Sequence, residues 1–193
     1  MGAEKLPGLF DLTGKILIAM PGLSDERFAN TVVVLCAHSG EGAMGLVVNK
    51  LADHVSLPGL FDQLEIPCRE DLSGRVVHAG GPVEMERGFV LHSPDYDTEM
   101  STLQVSDHFA MTATLDVLED IAAGYGPRHA MVALGYCGWA PGQLEGEIAQ
   151  NGWLVGDPTS SLVFEAEDER KWDLAMSGLG IDPLSLSVAA GRA

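Results

Sequence analysis

Basic residues are scarce in this chain: 11 Lys and Arg stand against 28 Asp and Glu in 193 residues, a formal charge of -17. The mean surface field repels phosphate, so counterion-release binding to nucleic acid has little to work with. The longest basic cluster, Arg170 and Lys171, is embedded in the acidic stretch EAEDERKW. Direct contact with DNA or RNA is therefore not expected, and a solvated acidic face that maintains solubility suffices to explain the charge.

Cysteine is equally sparse. Cys36, Cys68 and Cys137 are an odd number without CxxC spacing, and no basic n-region leads into a long apolar h-region, so a reducing cytoplasm is the expected compartment. The apolar run TVVVLCA from Thr31 is about a third of the ~20 residues that a membrane-spanning helix needs, and the opening MGAEKL lacks the Ser or Thr of a myristoylation signal. No membrane partner is expected. HxxxH, HExxH and Cys/His clusters are missing, so no metal and no cofactor is expected. There is no internal repeat, low-complexity segment or linker.

What is present is ordinary globular material, with 46% apolar and 20% charged residues. A chain of this size buries roughly 70% of its unfolded surface without a staple, so one domain over 1–193 is the default, with residues 1–10 and 185–193 expected to be flexible. KILIAM (15–20) and TVVVLCAH (31–38) are short and β-branched, hence strands, with a short helical piece in PGLSDERF between them. SGEG then AMGLVVN (43–49) makes a hairpin. Leu57, Leu60, Phe61 and Leu64 share one face of a short helix expected to pack on the core. Strands are expected at 75–79, 88–92, 101–106, 109–113, 130–136, 153–155 and 161–164. Helices are expected at 115–123, with Thr114 as N-cap and Gly124 as terminator, and along the stripe Trp172, Ala175, Met176, Leu179. Past a Gly-Trp turn, Pro141 sits where a first helical turn tolerates it, with Leu144 and Ile148 facing inward and Glu145 and Glu147 outward. Hairpins without a steady βαβ rhythm favour an α+β domain.

Candidate chemistry is thin. GEGAMG (40–45) matches GxGxxG, but a strand follows it instead of the helix whose amides meet a pyrophosphate. Cys137 in GYCGW lacks GxSxG spacing, so a structural thiol is the simpler reading. His38, His78 and His92 each close an expected strand and could converge on one rim, though hydrogen-bonded strand ends explain them equally. Glu145 and Glu147 suit the start of a helix through its dipole alone. Trp139 and Trp153 could line a pocket, and burial against the core is the plainer account.

Several stretches taken together resemble the YqgE/AlgH family of bacterial proteins: LTGKILIAMPGLSDERFANTVVVLCAHSGEGAMGLVVNK, HAGGPVEMERGFVLH, GYCGWAPGQLEGEIAQNGWL, and the terminal GIDP with AAGRA. They run in the family's order and span nearly the whole chain. The resemblance implies an α+β fold whose mixed, bent β-sheet forms a pseudo-barrel flanked by helices. On the family pattern fall Asp25, Phe28, His38, Gly42, Met44, Gly45, Asn49, Gly80, Gly81, Pro82, His92, Gly138, Trp139, Gly142, Gln143, Glu145 and Trp153; none has an agreed catalytic role. The family's regulatory label comes by association with control of alginate production and implies no DNA-binding module. Its pattern usually has Ala where this chain has Cys137, so a reaction shared by the family could not use that thiol.

The leading expectation is a non-catalytic binding or regulatory protein that acts through a protein or small-molecule partner, with His38, Asn49, His92, Trp139, Gln143 and Glu145 as candidate binding residues. The alternative is a small-molecule hydrolase, which requires a His and a carboxylate roughly 3 Å apart in a concave pocket. A direct transcription factor ranks last.

Overall fold

The computed structural model describes residues 11–190 apart from positions 22 and 24. Ten strands form one strongly curled sheet: β1 (Ile16–Ala19), β2 (Val32–Ser39), β3 (Gly42–Val47), β4 (Leu51–Ser56), β5 (Val76–Ala79), β6 (Val83–His92), β7 (Thr102–Gln104), β8 (Ala110–Thr112), β9 (Ala130–Trp139) and β10 (Trp153–Gly156). Among the described residues five α-helices flank it: α1 (Leu57–Gln63), α2 (Leu115–Ala123), α3 (Gln143–Ala149), α4 (Asp168–Gly178) and α5 (Pro183–Ala190). The spatial order is β10-β1-β2-β3-β9-β6-β8-β7, with the β4–β5 pair attached to β9. Every pairing is antiparallel except β5 with β9. The architecture is the α+β half-barrel that the hairpin-rich sequence and the family resemblance implied.

The curl follows from residues that serve both faces. Along β1, Ile16 and Ile18 enter one apolar cluster while Leu17 and Ala19 enter another, the two-residue alternation of a strand covered on both sides. The cluster inside the curl holds Val34, Leu46, Phe89, Leu91, Phe109 and Met176. A second, with Val77, Val90 and Val132, lies under α1 and α2. The third, under α3, gathers Leu35, Cys137, Trp139, Leu144 and Trp153. Strand β9 contributes to all three (Met131, Val132, Cys137).

The expected β2–β3 hairpin is present, with Ser39 opposite Gly42, so the GxGxxG match is hairpin chemistry. Other segments depart from expectation. GYCGW is strand to Trp139, which pairs with Ala43; no turn interrupts it, because Gly135 at φ 76° absorbs the kink where β6 skips from Val83 to Gly88. Gly81 is held so close to that strand that a Cβ there would meet the Tyr136 carbonyl carbon within 2.1 Å, which explains the GGP motif as a backbone crossing. Residues 161–164, read as a strand, form a π-helical turn, Ser161–Glu165, whose start Thr159 holds by accepting the Leu162 N–H at 3.1 Å; a four-residue apolar run carries no period to choose between the two. Strand β4 was not expected, since its side chains are mostly exposed and His54 sits at φ 63°. Thr114 occupies the N-cap of α2 without a side-chain cap bond, while Gly124 closes the helix at φ 87°. Leu64 lies beyond α1 and is exposed. Helix α5 covers Pro183–Ala190; of the segments expected to be flexible, residues 1–10 and 191–193 are outside the described residues.

Candidate functional site

Strand register brings part of the candidate set together. His38 on β2 stands opposite Ala43 on β3, and Ala43 stands opposite Trp139 on β9. After Trp139 the chain turns at Ala140–Gly142 into α3, where Gly142 supplies a left-handed N-cap at φ 76°, and Gln143 accepts the Ala140 N–H at 3.0 Å. His38, Trp139, Gln143 and Glu145 therefore cluster around one end of the sheet. Asn49 and His92 do not join them. Asn49 accepts from Val32 N–H at 2.9 Å and donates to the Asn30 carbonyl at 2.8 Å, fixing the opposite end of β2. His92 pairs with Ala130, at the other end of β9 from Trp139, about 30 Å away at strand rise. It is fully buried, donates Nδ1–H to the Ser93 carbonyl at 2.8 Å, and accepts the Thr112 hydroxyl at Nε2, 2.8 Å. Burial pushes its pKa below the ordinary histidine value. Both spend these atoms on hydrogen bonds within the fold, and the rim of three histidines does not form: His78 pairs with Asp168 elsewhere.

The residue that organises the cluster is Glu147, which sequence periodicity placed outward. Its Oε2 accepts both indole N–H groups, from Trp139 at 3.0 Å and Trp153 at 2.8 Å, while Oε1 accepts the Gln143 amide at 3.1 Å. The two indoles meet edge to face with centroids 6.0 Å apart, and Phe28 meets Trp153 in the same way at 5.6 Å. Trp153 is 2% and Trp139 7% exposed, so helical spacing alone misled: what draws Glu147 inward is a pair of indole donors from two strands. Its i+4 relation to Gln143 was the only local signal.

Beside this network a cleft of about 360 Å³ is walled by Asp25, Arg27, Phe28, Pro82, Trp139 and Gln143 among others. Asp25 caps the 3-10 turn Glu26–Phe28 and grips Arg27 through both oxygens, the shortest contact being 2.7 Å; the Arg27 hydrogen bond holds its carboxyl below the usual range. A broader groove of about 840 Å³ shares Gly138 and Trp139 with the cleft and includes His38. There His38 Nε2 lies 2.7 Å from Glu145 Oε1, and Nδ1 accepts the Leu12 N–H at 3.0 Å. Nε2 must then carry the ring hydrogen and give it to Glu145. The Glu145 carboxyl is held below its ordinary value, first by its own backbone N–H and further by His38.

Cys137 is buried with its Sγ 3.5 Å from the Gly80 carbonyl, and burial pushes its thiol up to about 12, as it does for Cys36. Neither offers a thiolate at neutral pH. A thiol-reactive dye added to the native protein at about pH 8 is expected to label Cys68, the exposed one, and to reach the other two only on unfolding; rapid labelling of Cys137 in the folded state would reopen nucleophilic chemistry. Among the described residues no group of three or more His, Cys, Asp or Glu could hold a metal ion. Nor is any described helix long and apolar enough to cross a membrane.

A family model described as AlgH-like matches residues 16–184. The chain belongs to the UPF0301/AlgH family. It is 56% identical over 184 residues to a UPF0301 protein of Ruegeria pomeroyi, covering 95% of this chain and 100% of that one. A UPF0301 protein of Jannaschia sp. is 55% identical, with 95% and 96% covered. Among solved structures, the AlgH protein of Pseudomonas aeruginosa superposes with a TM-score of 0.77 at 35% identity over 100% of this chain and 98% of that one. A Corynebacterium diphtheriae protein at 22% identity and TM-score 0.69, over 86% and 85%, shares the fold. Among the positions on which the resemblance rests, Asp25, Phe28, Pro82, Trp139, Gln143 and Trp153, distant in sequence, wall one cleft.

Proposed function

We propose that this UPF0301/AlgH protein is a non-catalytic binding or regulatory protein, and that the Trp139 cleft is the surface on which a protein or small-molecule partner docks. One observation carries this reading: Trp139, Gln143 and Trp153 line a cleft and are tied together through Glu147, while Asp25 and Arg27 on the same wall bond to each other. A preorganised, internally satisfied wall suits recognition by shape and by the outward donors of Arg27, and exposes no activated nucleophile. Regulation would then be indirect, since 28 acidic residues against 11 basic ones disfavour a grip on DNA.

The hydrolase reading has one observation in its favour. A His and a carboxylate do stand 2.7 Å apart, His38 with Glu145, beside the broad groove. Against it, Leu12 N–H occupies one ring nitrogen and Glu145 the other, so neither is free to take a substrate's proton without rearrangement.

The double substitution Arg27→Ala with Gln143→Ala tests the proposal. Both side chains are exposed, so the fold is expected to survive. Proteins and metabolites carried by the native chain through purification from its own cells, identified by mass spectrometry, are expected to fall at least about tenfold in the variant, the effect of losing roughly 1.4 kcal/mol of contacts. An unchanged set on a folded variant would rule out this cleft as the docking surface. Turnover of a metabolite by the pure protein, abolished by His38→Gln, would favour the hydrolase reading instead.

A further inference from the structure

A cavity of about 630 Å³ opens where β1 meets β10, with Ile16 opposite Gly156, and is closed in by the π-helical turn and α4. It shares no lining residue with the Trp139 cleft. Its volume lies within the range of roughly 300–1,000 Å³ that small-molecule sites occupy. Ile16 and Leu162 give it an apolar wall, and Leu174 and Leu179, each still 39% exposed, extend that surface along the end of α4.

Two local features leave the space open. Gly178 lies four residues after Leu174 and three after Ala175, on the helical face that lines the cavity, and a Cβ placed there meets no atom within 4 Å. Glycine in a helix is disfavoured relative to alanine, and no close approach requires it here. Another wall is the single π-helical turn Ser161–Glu165, a backbone form that is rare and recurs at functional sites.

The polar residues of the lining are of one kind. Asp157, Thr159, Ser161 and Glu165 offer carboxylates and hydroxyls, and no described Lys, Arg or His lines the cavity with them. Asp157 is matched by Lys15, which stands outside the lining. Glu165 is exposed and has no ion pair among the described residues. Arg170, one turn before Leu174 on α4, does not line the cavity. An apolar space edged by an uncompensated carboxylate and two hydroxyls repels an anion and accepts hydrogen bonds from a cation.

We propose that this cavity binds a small amphiphilic amine, with its hydrocarbon body against Ile16, Leu162, Leu174 and Leu179 and its ammonium at Glu165. The Trp139 cleft takes no part, so the site stands or falls independently of the docking surface proposed above.

The experiment titrates the purified full-length protein with octylammonium, octanol and octanoate at fixed ionic strength and about pH 7, where a primary amine is protonated. Each is kept below the concentration at which it aggregates, and the chemical shifts of the Leu and Ile methyl groups report where it goes. Octylammonium is expected to move the Leu174 and Leu179 resonances to saturation. It should bind at least about threefold more tightly than octanol, as an ion pair at a partly exposed site allows, and more tightly still than octanoate. Glu165→Gln is expected to erase the advantage over octanol. Glu119→Gln, which removes the same charge from an exposed position on α2 over a different apolar cluster, should leave it intact. Gly178→Leu fills the space with a helix-favouring side chain, so all three ligands should lose at least about tenfold in affinity while the thermal midpoint holds or rises. Octanoate binding as tightly as octylammonium, an advantage over octanol that survives Glu165→Gln, or unchanged affinity in folded Gly178→Leu overturns the proposal. Leu174 and Leu179 resonances that respond to protein concentration and not to the amine also overturn it, and give the cavity to a second copy of the chain.

Discussion

Replacing Glu147 with Ala is expected to destabilise the protein by about 2–6 kcal/mol, because two nearly buried indole N–H groups lose their common acceptor and each costs about 1–3 kcal/mol when left unpaired. The Gln143 amide loses its partner as well, but it is exposed and can turn to water. Glu147→Gln provides the control. Its single carbonyl oxygen can still accept from the indoles, so a loss of about 1 kcal/mol is expected. Urea unfolding read by tryptophan fluorescence measures both variants, and with only three Trp in the chain the native spectrum itself should change when Trp139 and Trp153 lose their anchor. A Glu147→Ala protein within about 0.5 kcal/mol of the parent would mean that water already serves the indoles, and the cleft would lose its claim to be a rigid wall. Since a domain is held by only about 5–15 kcal/mol in total, the substitution tests a large share of the stability with one side chain.

Lys171→Met should be comparably damaging, at about 3–5 kcal/mol, for a different reason. Removing one partner of a buried ion pair strands the other charge: Asp168 would face His78 alone and the Val48 carbonyl would have lost its donor. The pH dependence distinguishes this from a simple packing loss. Burial raises the Asp168 pKa, but hydrogen bonds from His78 and Lys171, with their charges, outweigh it and hold the carboxyl below its ordinary value. A carboxylate depressed in the folded state contributes stability that is complete above its unfolded pKa of about 3.9 and is lost as pH falls through the lower folded value. In the parent protein this loss therefore falls below about pH 4. Without Lys171 the depression is relieved, so Asp168 has less stability to lose on acidification. Denaturation midpoints measured across that range should show a shallower acid limb for Lys171→Met, converging on the parent as pH falls; an acid limb that merely runs parallel to the parent's would show that Lys171 acts by packing alone.

Much of the fold was legible in the chain. The β-branched runs of β1 and β2, the Gly40–Glu41 loop into β3, the stripe of α2 ending at Gly124 and the apolar face of α1 all rest on interactions within a few residues, and so does the exclusion of a dinucleotide loop at Gly40 to Gly45. The failures were local as well. A glycine at positive φ let GYCGW continue as strand, and a short apolar run with no period of its own became a π-turn. For two of the six binding candidates the meaning was not local at all. Asn49 and His92 fell on the family pattern beside Trp139, yet strand direction carries them to the far ends of β2 and β9, where they satisfy backbone and hydroxyl groups.

By itself, then, the sequence determined the elements, the α+β class, the anionic surface and the family, because hydrophobic period, turn chemistry and net charge depend on neighbours along the chain or on none. Only the tertiary structure decided that Glu147 points inward, that Asp25 and Trp153 share a cleft, and that His78 and Lys171 meet at Asp168. Those meetings are set by the registers of strands tens of residues apart, and hydrogen-bond partners chosen across such distances leave no spacing to read.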